Sequence, residues 1–287
     1  MRVTQITDTH LSARRPYALH NWDVLLHHLD GSRPELVVHS GDLVLDDPDD
    51  DDLRFALAQQ ARLPGPWRAV PGNHDIGEPG LAPGDERAVT NARLARWRRA
   101  WGHDHWAVDL GSWRVVGLNA MVLGSGLTAE WAQDRWLDEQ LASAADEGRH
   151  VALFLHKPLF LHRVHDPQAR RETVLPEPRD RLLERIVGGP VRLVGSGHLH
   201  QRRSVVWRDV AFVWCPASGY VREAGRTSSF DGVREVGCAE YELWPDGTVS
   251  WGFTRVPGMV DVDVEPVVAR YGRLSAAPAV TVTATAG

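Results

Sequence analysis

The chain has 287 residues, 43% hydrophobic and 24% charged, with a formal net charge of −6. This length and composition fit one large α/β domain or two small ones in an ordinary globular protein. The negative charge argues against a nucleic-acid partner, because such proteins usually carry a basic footprint. No apolar run is long enough to span a membrane, so we expect no membrane partner.

The cysteines and the start of the chain bear on the cellular compartment. Cys215 and Cys238 are the only cysteines, and their spacing excludes a thiolate metal site or a disulfide framework. We interpret both as buried thiols. The first apolar run, Val3–Ile6, is interrupted by Asp8 and leaves no room for a signal peptide. We therefore expect a cytoplasmic protein if the sequence is the whole gene product.

Hydrophobic periodicity predicts strands and helices that alternate along most of the chain. The predicted strands are Arg2–Thr7, Glu35–His39, Trp67–Val70, Trp106–Val108, Trp113–Asn119, Val151–Leu155 and Val191–Val194, followed by antiparallel strands within Val205–Trp214 and Ala239–Val256. The predicted helices are Asn21–Leu29, Leu53–Leu63, Ala92–Trp101, Ala129–Ala145 and Arg179–Val187. We predict one domain over residues 1–271 and a loosely held tail over 272–287, which is small, polar and rich in Ala, Thr and Pro.

An acidic run precedes the second predicted helix. Asp46–Asp52 contains six aspartates in seven positions. A calcium loop is one interpretation, but the spacing lacks the glycine and distal glutamate of an EF-hand. We favour a solvated acidic loop in which Asp51 or Asp52 caps the helix.

Polar clusters follow five of the predicted strands. In α/β sheets, ligands collect outside the carboxyl ends of the strands. Imidazole and carboxylate groups without thiolates suit Mn, Fe, Zn or Co. The groups in these clusters are too many for one ion and suit two ions about 3.5–4 Å apart. We read Gly72–Asp75 as a loop that leaves the third strand. The clusters are Asp8 with His10, Asp42, Asn73 with His74 and Asp75, His156, and His198 with His200.

These clusters, in this order, resemble the motif set of the calcineurin-like metallophosphoesterases. The resemblance runs from residue 3 to about residue 200 and implies a four-layer αββα sandwich with two mixed β-sheets, an α/β fold. The motifs that carry it are Asp8-x-His10, Gly41-Asp42, Gly72-Asn73-His74-Asp75, His156-x-Pro158 and Gly197-His198-x-His200.

The resemblance also implies a role for each residue in a two-metal centre of Fe, Mn or Zn. Asp42 would bridge the ions, His74 would face the scissile phosphate, and Asp75 would hydrogen-bond and orient His74. A hydroxide between the ions would attack the phosphorus. The remaining implied ligands are Asp8, His10 and His200 for one ion, and Asn73, His156 and His198 for the other.

The details of the motifs indicate a subgroup and a function. Asp75, together with Leu43-Val44-Leu45 after Asp42, argues against the Ser/Thr protein phosphatase branch, which uses Gly-Asn-His-Glu. The opening Ile6–Leu11 is most similar to bacterial class III cyclic-nucleotide phosphodiesterases and glycerophosphodiesterases. We therefore expect a metal-dependent hydrolase of a small phosphodiester, and the resemblance allows a homodimer.

Other functions stay open at this point. A phosphomonoesterase or nucleotidase could use the same site. An exonuclease is disfavoured by the negative charge. A non-enzymatic scaffold on the same fold is disfavoured because His74 and the full ligand set are present.

Four further residues are candidates for substrate contacts. Lys157, the only lysine, stands where related enzymes often have a second histidine, and it is either a neutral surface residue or a contact for an anionic substrate group. His162 and His165 are either substrate contacts or exposed loop residues. Asn119 either approaches the metals or forms a structural hydrogen bond.

Overall fold

Strands and helices alternate through the computed structural model, which describes residues 1–45, 50–82, 84–222 and 231–263. The strands are β1 (Arg2–Ile6), β2 (Leu36–His39), β3 (Trp67–Ala69), β4 (Trp106–Leu110), β5 (Trp113–Leu118), β6 (His150–Leu155), β7 (Val191–Ser196), β8 (Arg203–Trp207), β9 (Val210–Trp214), β10 (Cys238–Leu243) and β11 (Val249–Thr254). The helices are α1 (Leu19–Ser32), α2 (Asp50–Gln60), α3 (Asn73–Ile76), α4 (Asn91–Trp101), α5 (Thr128–Asp146) and α6 (Pro176–Ile186), with a 3₁₀ turn at Ala120–Val122.

The strands form two mixed sheets. The first has the order β11-β10-β1-β2-β3, in which β1, β2 and β3 are parallel, β10 pairs antiparallel with β1, and β11 pairs antiparallel with β10. The second has the order β4-β5-β6-β7-β9-β8, in which β5, β6, β7 and β9 are parallel and the edge strands β4 and β8 are antiparallel. The predicted mixed sheets are confirmed.

Successive side chains along a strand point to opposite faces of its sheet, so they pack into different layers. Leu36 and Val38 of β2 pack with Phe154 of β6 in the core between the sheets. Val37 points to the other face of the first sheet, where α1 covers it, and Leu153 points to the outer face of the second sheet with α5 and α6. This period of two on strands buried on both faces builds the predicted αββα sandwich.

Helix α1 shows how the sequence pattern places a helix on a sheet. Trp22, Leu25, Leu26 and Leu29 are buried on one face, which is the spacing of an amphipathic helix. The helix ends where Arg33 adopts a left-handed conformation, with φ of 47°, and donates its backbone N–H to the Leu29 carbonyl.

The second helix begins earlier than predicted, and the capping prediction is wrong. Asp51 and Asp52 lie inside the first turn of α2. Asp52 is buried, and its Oδ1 accepts hydrogen bonds from Ser12 Oγ at 2.7 Å and from Ala13 N at 2.9 Å. The aspartate therefore ties α2 to the segment after β1, a contact distant in sequence. Residues 46–49 of the acidic run lie outside the described residues.

No helix in the described part of the chain combines the length and apolar character that a bilayer crossing requires. The predicted tail, 272–287, lies outside the described residues, and the domain boundary at 271 stays a prediction.

Candidate metal centre

The predicted clusters lie where parallel strands of both sheets end. The segments after β1 and β2 are tied together by Asp8 N, which donates to the Gly41 carbonyl at 2.9 Å. His156, directly after β6 in the other sheet, donates from Nδ1 to the Ser40 carbonyl at 2.9 Å. Because these strands are parallel within each sheet, the side chains that follow them meet at one edge of the sandwich.

Asp8, His10 and His200 form one group of potential ligands, which we name cluster 1. His200 Nε2 lies 3.2 Å from His10 Nε2 and 3.3 Å from Asp8 Oδ1. All three residues are buried. Two imidazole nitrogens and a carboxylate oxygen thus converge on one point.

Asn73, His156 and His198 form a second group, cluster 2. His156 Nε2 lies 3.2 Å from Asn73 Oδ1 and 3.1 Å from His198 Nδ1. Asp42 stands between the clusters, with Oδ2 3.2 Å from His156 Nε2 and 3.7 Å from His10 Nε2. The seven predicted ligands are therefore brought together, with one carboxylate shared by both groups.

Backbone carbonyls select which histidine nitrogen faces the clusters. His200 Nδ1 lies 2.8 Å from the Tyr220 carbonyl, and His198 Nε2 lies 3.2 Å from the Arg171 carbonyl. A carbonyl only accepts, so these nitrogens carry the hydrogens, as does His156 Nδ1. In the neutral ring the opposite nitrogen then presents a lone pair to the cluster, the arrangement that metal-binding histidines use.

The charges of the site also fit cations. Burial opposes ionisation of Asp42, but His156 and then His74 hold its pKa well below the usual range. Asp8 is likewise kept below its usual pKa, against burial, chiefly by His200. Burial lowers the pKa of His156, but Asp42 overcomes this and raises it to about 9. Asp8 Oδ1 has no hydrogen-bond partner among the described residues. Two buried, ionised carboxylates suit divalent ions, which would replace the extra proton of His156 because a metal ligand must be deprotonated.

The backbone at this edge is strained. Non-glycine residues with positive φ are uncommon, yet most of those in the described chain belong to the site. This conformation costs free energy and persists where surrounding structure imposes it, as at functional sites. The site residues with positive φ are Asp8 at 53°, His10 at 44°, Asp42 at 56°, His198 at 69° and His200 at 52°.

His74 lies beside Asp42 and cluster 1. Its ring nitrogen is within 4.8 Å of the potential ligand atoms of His10 and Asp42. Its Nδ1 lies 2.6 Å from the Leu45 carbonyl, and its backbone N donates to Asp42 Oδ1 at 2.8 Å. Leu45 therefore orients the imidazole and leaves Nε2 for other contacts.

The predicted hydrogen bond between Asp75 and His74 is wrong, and so is the predicted loop conformation of Gly72–Asp75. Residues Asn73–Ile76 form a single helical turn, which directs Asp75 and His74 apart. The Asp75 carboxylate instead accepts backbone N–H bonds from Asp42, Leu43, Val44 and Gly72 at 2.8–3.1 Å. Burial, followed by the charge of Asp42, raises the pKa of Asp75 to about 7. Asp75 thus holds the Asp42 loop.

Lys157 is not a surface residue. It is 1% exposed, and its ammonium group forms an ion pair with Glu78. A substrate contact by Lys157 stays a prediction, but its charge is already paired. Sequence reasoning missed this because Glu78 lies 79 residues away in an irregular segment.

The three other candidate contacts have these surroundings. His162 and His165 are exposed loop residues whose Nδ1 atoms lie 3.7 Å from Asp231 and 3.6 Å from Asp180. Asn119 is buried; Nδ2 donates to Asp104 at 2.9 Å and Oδ1 accepts from the backbone N–H of Met121. These contacts favour the structural interpretation of Asn119.

Sequence reasoning also missed supporting residues. Thr7 Oγ1 donates to Asp8 Oδ2 at 2.7 Å and leaves Oδ1 facing cluster 1. The Tyr220 ring packs against His10 and His200, with centroids 5.0 and 4.9 Å away. Thr7 adjoins a recognised motif, which is a usable signal, whereas Tyr220 lies in a segment with no motif.

Comparisons with known proteins agree with this geometry. Residues 1–202 match the family model described as calcineurin-like phosphoesterase. The chain is 28% identical over 286 residues to the 3',5'-cyclic adenosine monophosphate phosphodiesterase CpdA of Escherichia coli K12, covering 95% of this chain and 94% of the relative. It is also 28% identical over 198 residues to the human serine/threonine-protein phosphatase CPPED1, covering 65% of this chain but only 60% of the relative.

Solved structures show the same fold at lower identity. A dimetal phosphatase from Danio rerio superposes with a TM-score of 0.62 at 14% identity, covering 88% of this chain and 95% of that one. The purple acid phosphatase PPD1 from yellow lupin gives 0.62 at 15%, covering 99% and 57%.

Proposed function

The chain belongs to the calcineurin-like phosphoesterase family, and we propose that within this family it hydrolyses a small phosphodiester with the help of two metal ions. The class of substrate is a cyclic nucleotide or a glycerophosphodiester. The observation that carries the proposal is the position of Asp42, whose Oδ2 lies within 3.7 Å of a histidine nitrogen from each cluster. A shared carboxylate between two donor groups suits a pair of ions.

The ligand assignment follows the two clusters. We assign one ion to cluster 1 and the other to cluster 2, with Asp42 as a ligand of both. Two ions of Fe, Mn or Zn, when bound, supply a nucleophilic water at neutral pH and cancel phosphate charge. The strained backbone at these residues supports the assignment, because it aims ligands from separate loops at one place.

His74 acts on the leaving group in this proposal. The Leu45 carbonyl holds Nδ1–H, so Nε2 is the atom that carries a proton toward the leaving oxygen or donates to a phosphoryl oxygen. Asp75 takes no part in proton transfer. Its carboxylate keeps the backbone of Asp42 and Gly72 in place, which is a positioning role.

Preference for a diester is supported by the extent of the match to the Escherichia coli phosphodiesterase, which covers nearly all of both chains. A phosphomonoesterase is the second candidate, because CPPED1 relatives and the zebrafish dimetal protein are named phosphatases. Exonuclease activity is not favoured by the net charge. A homodimer and the cellular location stay predictions.

A substrate panel tests the proposal. Apo-protein is reconstituted with Mn, Fe or Zn and assayed on bis(p-nitrophenyl) phosphate, p-nitrophenyl phosphate, cyclic AMP and glycerophosphodiesters. We expect kcat/KM for the aryl diester to exceed that for the monoester. A clear preference for the monoester supports the second candidate, and activity that is independent of added metal contradicts the two-metal assignment.

A further inference from the structure

Lys157 and Glu78 form a buried link beside cluster 2. Lys157 is 1% exposed, and the Glu78 side chain is 15% exposed. A buried lysine needs a compensating partner, because an unpaired buried charge is strongly unfavourable. The pair therefore requires the segments that carry Lys157 and Glu78 to stay together.

Each partner is attached to a residue of cluster 2. Lys157 directly follows His156. Glu78 follows the helical turn that begins at Asn73, and Gly77 N donates to the Asn73 carbonyl at 2.9 Å. The side chains of Asn73 and His156 meet with Oδ1 and Nε2 3.2 Å apart. The same pair of segments is thus joined by two contacts, the one between Asn73 and His156 and the ion pair between Glu78 and Lys157.

Glu78 is itself held from the other side. Its backbone N donates to the Arg87 carbonyl at 2.7 Å, and its carbonyl accepts from Val89 N at 2.9 Å. Lys157 is held through its neighbours, since the His156 carbonyl accepts from Gly197 N at 2.9 Å. The ion pair therefore connects two backbone segments that are each held by other hydrogen bonds. A change in the pair would shift Asn73 relative to His156.

Cluster 1 shares neither segment. Its residues Asp8, His10 and His200 come from the loops after β1 and β7. We propose that the Lys157–Glu78 pair is a positioning element that sets the metal affinity of cluster 2 and leaves that of cluster 1 unchanged. This inference rests on the proposed two-metal function. It gives Lys157 a role without contact to metal or substrate.

The test is a Mn²⁺ titration of the full-length apo-protein by calorimetry in two backgrounds. His200→Ala disables cluster 1 and Asn73→Ala disables cluster 2, so each background reports the other site. Adding Lys157→Met to His200→Ala should weaken Mn²⁺ binding about 10- to 100-fold, the effect typical of residues that orient ligands. Added to Asn73→Ala, it should change the Mn²⁺ affinity of cluster 1 by less than about twofold, because Asp8, His10 and His200 do not lie on the segments that carry Lys157 and Glu78.

Two companion variants keep the outcome decisive. Glu78→Gln removes the charge with little change in shape, and it should likewise weaken Mn²⁺ binding at cluster 2 and not at cluster 1. This variant replaces Lys157→Met in the test if Lys157→Met does not fold. Arg62→Met breaks an exposed ion pair, with Asp23 at 2.8 Å, and should leave both affinities unchanged. Lys157→Arg keeps the charge and should retain part of the cluster 2 affinity.

The outcomes distinguish a failure of the proposed two-metal function from a failure of the role proposed for Lys157 and Glu78. Wild-type protein that binds fewer than two Mn²⁺ ions contradicts the proposed function and this inference with it. Two ions in the wild type, with equal loss or no loss in both backgrounds, overturn the inference alone. Unchanged metal affinity with a raised KM for charged substrates also overturns it, in favour of a substrate contact by Lys157.

Discussion

Gly72→Ala tests whether the position of Asp42 governs both metal sites. Gly72 has extended backbone angles, φ −104° and ψ −175°, which alanine also adopts. The new Cβ would lie 2.1 Å from Asp42 Oδ1 and 2.5 Å from Asp42 N, whereas ordinary Cβ contacts begin near 3.4 Å. Cβ contacts shorter than 3.0 Å are essentially never seen, so the substitution forces a displacement of about 1 Å between Gly72 and Asp42.

The expected loss follows from that displacement. A misplacement of about 1 Å in a catalytic arrangement costs roughly 100-fold in rate, or about 2.7 kcal/mol of transition-state stabilisation. Because Asp42 Oδ2 faces both clusters, we expect Mn²⁺ affinity to fall at both sites. This distinguishes Gly72→Ala from the Lys157 variants, which should affect one.

The assay is kcat/KM for bis(p-nitrophenyl) phosphate together with Mn²⁺ titration. Gly31→Ala is the matched control, because a Cβ there meets nothing within 4 Å and the residue lies in helix α1. It should leave activity unchanged and stabilise the fold slightly, by about 0.5–1 kcal/mol. A folded Gly72→Ala variant with wild-type Mn²⁺ affinity and activity would show that the position of Asp42 does not govern the two sites.

Three further substitutions test single residues. His74→Ala should keep both metals, because the seven assigned ligands remain and alanine retains the backbone N–H that donates to Asp42 Oδ1, and it should lose turnover mainly on diesters with poor leaving groups; loss of metal by elemental analysis would make His74 a ligand. Asn73→Ala should remove one of two Mn²⁺ binding events in calorimetry, and loss of both would contradict separate clusters. Contact with His105, followed by hydrogen bonds from Arg98 and Asn119, keeps the pKa of Asp104 below its usual value, against burial. As the pH falls, the unfolded chain therefore takes up this proton first, and stability falls below about pH 4. Asp104→Asn should lower stability near neutral pH and flatten that decline in urea unfolding, and an unchanged profile would show that Asp104 does not contribute.

The set of residues that meet at the candidate site could be predicted from the sequence, because polar residues directly after an apolar strand are a recognisable signal. An apolar run followed by Asp or His marks the place where a side chain leaves a sheet, and parallel strands bring such places to one edge. His156 and His198 meet for this reason, although 42 residues separate them. The resemblance to the metallophosphoesterases implied the two-sheet core, in which Leu36 and Val38 lie on one face of β2.

The contacts that support the site could not be predicted, because they depend on the direction in which each side chain points. The chemistry of Asp75 suggests a partner for the neighbouring histidine, but a helical turn sends the carboxylate to the backbone of Leu43 and Val44. In the sequence, Lys157 follows His156 and has the appearance of a surface charge. Its partner Glu78 lies in a segment without periodicity, so the sequence does not indicate their contact. Single-sequence patterns indicate which residues leave a strand, and they carry little information about what those side chains contact.

The most direct test of the central claim is phosphodiester hydrolysis measured against Mn²⁺ added to apo-protein, with bound metal counted in the same samples. We expect two ions to bind per chain and hydrolysis of bis(p-nitrophenyl) phosphate to appear as the second ion binds. Full activity with no bound ion, or saturation at a single ion, would contradict a site built from two clusters around Asp42.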